Sequence, residues 1–266
     1  MRCCLRGAVL LAALPLAVLP ALSAAQPAEK LYQQHCASCH GADRLGAMGP
    51  ALLPENLSRL RRTEALKVIG SGSVATQMPG FGGELGADEI QALADYIYSP
   101  LPQLPRWGEV EIRASRLEHF RPGTLGDKPL FSADPLNLFV VVETGDHHVT
   151  ILDGDRFEPI HRFPSRFALH GGPKFTPDGR YVYFASRDGW ISKFDLYNLK
   201  TVAEVRAGIN TRNAAVSGDG RYVMVANYLP HTLVLLDANL NLMKVLEVKD
   251  RAGKTTSRVS AVYDAS

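Results

Sequence analysis

From residue 131 onward the chain repeats itself. The segments FSADPLNLFVVVETGDHHVTILDGDRFEPIHRF, FTPDGRYVYFASRDGWISKFDLYNLKTVAEVRA and VSGDGRYVMVANYLPHTLVLLDANLNLMKVLEV align, with Asp134, Asp178 and Asp219 equivalent and spaced 44 and then 41 residues apart. Each unit reads as strand, D-G turn, strand, turn, strand ending in aspartate, turn, strand. That is the sequence of one four-stranded β-propeller blade, about 40–50 residues long, which buries its apolar faces only by stacking on neighbours. Three units are present, and RVSAVYDAS reads as the first strand of a fourth, where the sequence ends. Propellers close with about 4–8 blades, and an open fan exposes a sheet edge and an apolar face. The expectation is therefore an incomplete propeller: a piece of a longer protein, or a short form completed by oligomerisation.

The segment before the repeats is of another kind. Residues 1–25, MRCCLRGAVLLAALPLAVLPALSAA, run from Arg2 and Arg6 through an apolar stretch to small residues, as in a secretory signal peptide cleaved after Ala25. A run broken by Pro15 and Pro20 makes a poor membrane anchor, since a spanning helix takes about 20 apolar residues. Cys3 and Cys4 leave with that peptide, so the exported, periplasmic chain keeps Cys36 and Cys39. Two cysteines make no disulfide framework. They stand in HCASCHGAD, whose flanks read as helical rather than as the βαβ setting of a redox dithiol. A zinc corner needs two further ligands at matched spacing, and none follows. The adjacent His40 makes the motif C-x-x-C-H, the attachment site of a c-type haem. Cys36 and Cys39 would form the thioethers, and His40 would coordinate iron from one face.

ATQMPGFGGELGADEIQALADYIYSPLP contains a candidate for the other face. Met78 lies in a loop before Pro79 and Gly80, and a helix is predicted from about Ala87 with Ile90, Leu93, Ala94 and Ile97 on one side. A loop methionine before a C-terminal helix suits a thioether axial ligand, which raises the haem potential. A buried gap-filler is the alternative reading of Met78. Met48 is the competing ligand, disfavoured by lying close to the haem motif and before Gly49–Pro50. Over residues 28–99 the spacing resembles class I cytochrome c domains, which are small and all-α, and GPAL resembles the proline loop that packs against haem in them.

Pro100, Pro102 and Pro105 stiffen a segment, 100–129, expected to link the two domains. From about residue 28 to 266 the chain resembles the cytochrome cd1 group. That group joins a haem c domain to a haem d1 β-propeller and includes periplasmic nitrite reductases and a dehydrogenase of haem d1 biosynthesis. PRWGEVEIRAS resembles its linker, and ALHGGPKFTPDGRYVYFASRDGWISKFDLYNLKTVAEVRAGINTR resembles its first d1-binding stretch. The resemblance implies that His170 is the proximal ligand of the d1 iron. By its residues alone, His170 is a loop histidine before Gly171–Gly172, a gap without side chains that a flat ligand can approach. A surface histidine is the plain alternative, and His147 and His148 at a hairpin tip are runners-up. Haem d1 carries several carboxylates, which guanidinium groups pair better than lysine does. The resemblance assigns Arg187 in ASRDG, Arg212 in INTRN and Tyr228 in ANYLP to those carboxylates; each is otherwise an ordinary polar residue at a strand end. Where the nitrite reductases have a further arginine in the first blade, this chain has Thr144.

A short arm before Cys36 and the change at Thr144 bring the resemblance closer to the dehydrogenase. It implies removal of two hydrogens from one propionate of dihydro-haem d1, making an acrylate. The electrons would leave through haem c to a periplasmic partner, a small cytochrome or cupredoxin, and other proteins of haem d1 biosynthesis would be partners. The alternatives are a nitrite reductase, with electrons running from haem c to haem d1 to nitrite, and a haem d1-binding or electron-transfer protein without catalysis. No catalytic residue is assigned, since the distal ones are expected in later blades. An open fan leaves arginine–carboxylate pairs wet and worth only about 0–1 kcal/mol each, so a chain of this extent is expected to bind haem d1 weakly or not at all and to show neither dehydrogenase nor nitrite reductase activity. A formal net charge of +2 with acids and bases interspersed makes no case for nucleic acid, and no polybasic block points to a membrane surface.

Overall fold

The computed structural model describes residues 27–103 and 105–265, so the expected signal peptide lies outside the described residues. The first part is helical, with α1 (Ala28–His35), α2 (Ala37–His40), α3 (Arg62–Ser71) and α4 (Ala87–Tyr98). The apolar stripe on α4 buries Leu93, Ala94 and Ile97 against Leu31 and Tyr32 of α1 and Ile69 of α3. The Glu89 carboxylate accepts the Gly86 N–H, so α4 starts where an acid caps it. Arg44 closes the other end. Its guanidinium is 2% exposed and donates to the carbonyls of Leu52, Ile97 and Ser99 at 2.8, 2.8 and 2.9 Å. It thereby ties the loop after α2 to the carbonyl end of α4, where unpaired oxygens and the helix dipole favour a cation.

Twelve strands follow among the described residues: β1 (Leu117–Glu118), β2 (Leu138–Glu143), β3 (His148–Asp153), β4 (Pro159–Pro164), β5 (Lys174–Phe175), β6 (Tyr181–Ala185), β7 (Trp190–Asp195), β8 (Lys200–Arg206), β9 (Asn210–Val216), β10 (Tyr222–Leu229), β11 (Thr232–Asp237) and β12 (Leu242–Glu247). They form three sheets with strand orders β2-β3-β4, β1-β8-β7-β6-β5 and β12-β11-β10-β9, antiparallel throughout. The period seen in the sequence is written in local hydrogen bonds. Asp134, Asp178 and Asp219 each accept, through Oδ1, the N–H two residues on, from Leu136, Arg180 and Arg221. Asp153, Asp195 and Asp237, which end β3, β7 and β11, each cap the next turn with two further backbone N–H bonds. Short carboxylates that mimic a backbone acceptor hold such turns.

The middle sheet is buried on both faces, and alternation along β6 sorts its side chains. Val182 and Phe184 join Val149, Ile151 and Phe163 of the first sheet, where Phe163 stacks on Phe194 at 4.0 Å between ring centroids. Tyr183 and Ala185 join Ala214, Val216, Val223 and Val225 of the third. A strand covered on both sides reads as an unbroken apolar run, which is why YVYFA shows no polar alternation.

Three details depart from the sequence expectation. The first unit has three strands: Pro129 and Pro135 offer no N–H, and the Leu130 N–H donates instead to the Tyr197 carbonyl of the second unit. Residues 258–265 of RVSAVYDAS form no strand. Among the described residues they have no second strand of their own unit to pair with, and they lie across the third sheet, Val259 N–H donating to the Asn227 carbonyl and Val262 accepting from the Asn213 amide. The proline-rich segment also carries more than a spacer. After Pro105 it forms a helix, α5 (Glu109–Ser115), which buries Ile112 in the core of the second and third sheets, and then β1, which pairs with β8. Arg113 and Arg116 fasten it by donating to the Leu242 and Asn239 carbonyls.

Candidate functional site

Cys36 closes α1, and Cys39 and His40 lie in α2, which brings the motif into one turn. Both thiols are free. Burial, helped by neighbouring Cys39, pushes the Cys36 thiol up to about 11, the reverse of an activated dithiol that attacks as thiolate. Among the described residues no three His, Cys, Asp or Glu side chains gather to hold a metal ion. The His40 ring is buried, with Nδ1 2.8 Å from the Pro50 carbonyl oxygen. A carbonyl only accepts, so Nδ1 carries a proton, and burial, which lowers the ring's proton affinity, keeps Nε2 unprotonated with its lone pair available. A Cβ on Gly49 would come within 2.7 Å of the ring, so glycine is required there. Two free thiols and an oriented imidazole fit a covalently held haem, the backbone carbonyl serving as the outer partner that orients an iron ligand.

The Met78 loop doubles back on α3. Ser73 N–H donates to the Met78 carbonyl, and Phe81 and Gly82 N–H donate to Ile69 and Gly70. Met78 is half-buried, whereas Met48 is 57% exposed.

His170, Arg187, Arg212 and Tyr228 converge at one end of the second and third sheets. The His170 N–H donates to Ala185, and its Nδ1 lies 3.0 Å from the Arg212 carbonyl oxygen. Arg187, in the turn between β6 and β7, bonds through its backbone to Ala168 and Thr211. The Arg212 guanidinium lies over the Tyr228 ring, 5.1 Å from its centroid. Of the two glycines after His170, Gly171 serves the close approach to β9, since a Cβ there would meet the Arg212 carbonyl and the Asn213 side chain at 3.1 and 3.2 Å, whereas a Cβ on Gly172 would meet only the Lys174 Nζ, at 3.8 Å. His147 sets its ring edge-on to Phe167 and leaves a buried Nδ1 without a partner, and His148 turns to Asp146.

Two further arginines join this cluster, and neither is singled out by its sequence. Arg258 places its guanidinium 5.2 Å from the Tyr228 centroid. Arg59, from the loop between α2 and α3, adds its charge near Arg187 and Tyr228. A hydrogen bond with Ser260 and the charges of Arg212, Arg59 and Arg258 hold the Tyr228 hydroxyl below its ordinary value. Burial, then Arg212 and Arg59, depress Arg187. None of the salt bridges among the described residues involves any of these four guanidiniums. The buried Nε of Arg212 and Oδ1 atoms of Asn210 and Asn213 have no partner. Uncompensated positive charge beside one unsatisfied donor, the Arg212 Nε, suits a ligand with several carboxylates.

The helical domain docks on this same end of the sheets. Ala51 and Leu53 of the GPAL loop pack on Ile209 and Leu229. Arg206 donates to the Leu45 carbonyl and, at 2.8 Å, to that of Asp188, while its guanidinium covers the Trp107 ring. On the Met78 side, the Gln77 amide donates to the Asp146 carbonyl at 3.2 Å. Loops after His40 and before Met78 therefore both touch the sheet domain.

Residues 133–266 match the model of the cytochrome D1 heme domain, and residues 23–97 match that of cytochrome C oxidase, cbb3-type, subunit III. Over 240 residues the chain is 63% identical to dihydro-heme d1 dehydrogenase of Pseudomonas aeruginosa, covering 90% of this chain and 48% of that protein. Over 243 residues it is 26% identical to a nitrite reductase of Stutzerimonas stutzeri, covering 84% of this chain and 43% of the reductase. A solved structure of dihydro-heme d1 dehydrogenase NirN in complex with DHE superposes with a TM-score of 0.83 at 63% identity, over 90% of this chain and 52% of that one. The chain thus spans about half the length of these relatives.

Proposed function

Because the chain belongs to the cytochrome D1 heme domain family, we propose that it pairs a cytochrome c domain with three blades of a haem d1 propeller in a periplasmic oxidoreductase that oxidises dihydro-haem d1. The observation that carries this reading is the 63% identity to a dihydro-heme d1 dehydrogenase, which runs through both domains, against 26% to a nitrite reductase. Thr144, in place of an arginine of the reductases, points the same way. The leader supports export, and no helix of the described residues is long and apolar enough to cross a membrane.

On this reading Cys36 and Cys39 would hold haem c by thioethers, and His40, through Nε2, and Met78 would supply the ligands to its iron. Haem c, when bound, accepts one electron at a time. The substrate is dihydro-haem d1, and the reaction removes two hydrogens from one propionate, leaving an acrylate, two protons and two electrons for an outside acceptor such as a small cytochrome or cupredoxin. His170 binds the macrocycle's iron through Nε2. Arg187, Arg212 and Tyr228 hold its carboxylates and so fix the propionate in place. Docking of the helical domain on the same end of the sheets, through the loops of Leu45, Leu53 and Gln77, would set the haem c site beside the haem d1 site.

The test mixes haem c-loaded protein, joined to the remaining propeller segment of the Pseudomonas aeruginosa relative, with dihydro-haem d1 and an oxidised small cytochrome. Haem d1 should appear with two equivalents of cytochrome reduced per macrocycle. Binding without conversion would make the protein a carrier, and reduction of nitrite from a reduced donor would make it a reductase.

A further inference from the structure

The stretch Ser58-Arg59-Leu60-Arg61-Arg62 holds three arginines, and the fold treats them differently. Arg61 reaches Glu64 at 3.9 Å, and Arg62 reaches Asp95 at 2.6 Å while lying over the Tyr98 ring. Arg59 has no carboxylate partner among the described residues. The loop that carries it packs through Leu53 on Ile209 and Leu229, next to Tyr228, whose ring the Arg212 and Arg258 guanidiniums cover, and the Arg59 charge acts on both Tyr228 and Arg187. Four like charges gathered around one tyrosine repel one another, and such an arrangement is stable when an anion sits among them.

The loop that carries Arg59 is held at both ends. Leu53 packs on Ile209 and Leu229, and its carbonyl accepts the N–H groups of Asn56 and Leu57, both at 2.9 Å. Leu57 and Leu60 are inserted in the helical core, and the Leu60 carbonyl accepts the Tyr98 hydroxyl. Arg59, exposed between two anchored leucines, is therefore presented to the sheet domain on a fixed backbone, which limits the entropy lost when it engages a ligand. The Arg212 Nε, buried without an acceptor, faces the same need for an anion.

We infer that the helical domain itself supplies a binding residue to the tetrapyrrole site: Arg59 pairs with a ligand carboxylate opposite Arg187 and Arg212, so that the bound macrocycle is clamped between the two domains. This inference rests on the reading that a polycarboxylate tetrapyrrole occupies the site. A ligand held from both domains fixes the distance between macrocycle and haem c, which a ligand held by the sheets alone does not.

The experiment titrates haem c-loaded protein, joined as above to the remaining propeller segment of the Pseudomonas aeruginosa relative, with haem d1, followed by absorption. Arg59→Gln should weaken binding about tenfold, as loss of one charge-assisted hydrogen bond predicts. Arg59→Lys should recover part of it. Arg61→Gln, which breaks only the Glu64 contact, should change binding less than twofold, and an unaltered haem c spectrum in each variant shows that the helical domain is folded. With the fully esterified macrocycle, wild type and Arg59→Gln should bind alike, because no carboxylate remains to pair. If Arg59→Gln binds haem d1 as wild type does while His170→Ala does not, the clamp is wrong and the site reading stands. If wild type fails to bind haem d1 at all, both fall.

Discussion

His170 turns its Nδ1 towards the carbonyl oxygen of Arg212, 3.0 Å away, and His40 does the same towards Pro50 at 2.8 Å. In both, the carbonyl fixes the proton on Nδ1 and directs Nε2 outward, the arrangement by which a backbone acceptor orients an imidazole ligand. In His170 that acceptor belongs to a residue whose side chain is also assigned to the ligand, so strand β9 sets the iron-binding and carboxylate-binding groups together. His170→Ala should weaken haem d1 binding at least tenfold and shift the d1 absorption bands. His147→Ala and His148→Ala should leave both within twofold. Shifted bands in either of the latter, with unchanged bands in His170→Ala, would move the ligand to the neighbouring hairpin.

Covalent attachment is tested separately. Protein made in a host with periplasmic haem-attachment machinery should keep its haem through acid extraction, and Cys36→Ala or Cys39→Ala should lose colour. Complete release of haem from the unaltered protein would refute the thioether assignment.

Met78 and Met48 differ in a way electrochemistry resolves. Replacing a thioether by imidazole stabilises ferric haem, so Met78→His should lower the haem c midpoint by on the order of 0.1 V. Met48→Leu, at an exposed position, should leave it nearly unchanged. A redox titration in which the two variants exchange behaviour would reassign the ligand.

Asp188 gives the fold a pH dependence of known sign. Its carboxyl is 1% exposed, one oxygen accepts the Ser186 hydroxyl and the other has no partner. Burial raises its proton affinity above the ordinary value of 3.8 despite the nearby Arg206 and Arg166 charges. The folded chain thus keeps a proton that the unfolded chain releases. The stabilisation from this group is complete below 3.8, and is lost as pH rises through the folded value. Asp188→Asn retains an acceptor for Ser186 and removes the titration. Urea unfolding should show the variant gaining stability relative to wild type as pH rises above 3.8. A difference that stays constant or reverses with pH would contradict the burial argument.

Arg44 is a structural cation without a carboxylate. Arg44→Ala strands the carbonyls of Leu52, Ile97 and Ser99 and uncovers the Tyr96 ring. Thermal unfolding should register a loss of about 3 kcal/mol, the cost of leaving buried groups unsatisfied. Arg44→Lys should restore only part, because an ammonium cannot span three acceptors in the plane of a guanidinium.

What was legible in the sequence is what neighbouring residues decide among themselves. The turn aspartates act on N–H groups two residues away, the haem motif fits within one helical turn, and the stripe on α4 is a matter of helical spacing. The four residues expected to meet around haem d1 do converge, because equivalent positions of successive units reach the same end of stacked sheets. Other features depend on partners far along the chain. The seven-residue helix α5 and the two-residue strand β1 are too short to announce themselves. They exist because Ile112 fills a core built from other sheets, and because Leu117 and Glu118 pair with Glu204 and Ala203. RVSAVYDAS has the composition of a strand and is not one over residues 258–265, since β-propensity is realised only against a neighbouring strand. Arginine is the clearest case. The letters Arg59, Arg61 and Arg62 are the same, and only the tertiary structure sends two of them to Glu64 and Asp95 and leaves the charge of the first to act on Tyr228 of the sheet domain, because a charge is defined by its residue but its energy by what the fold places beside it.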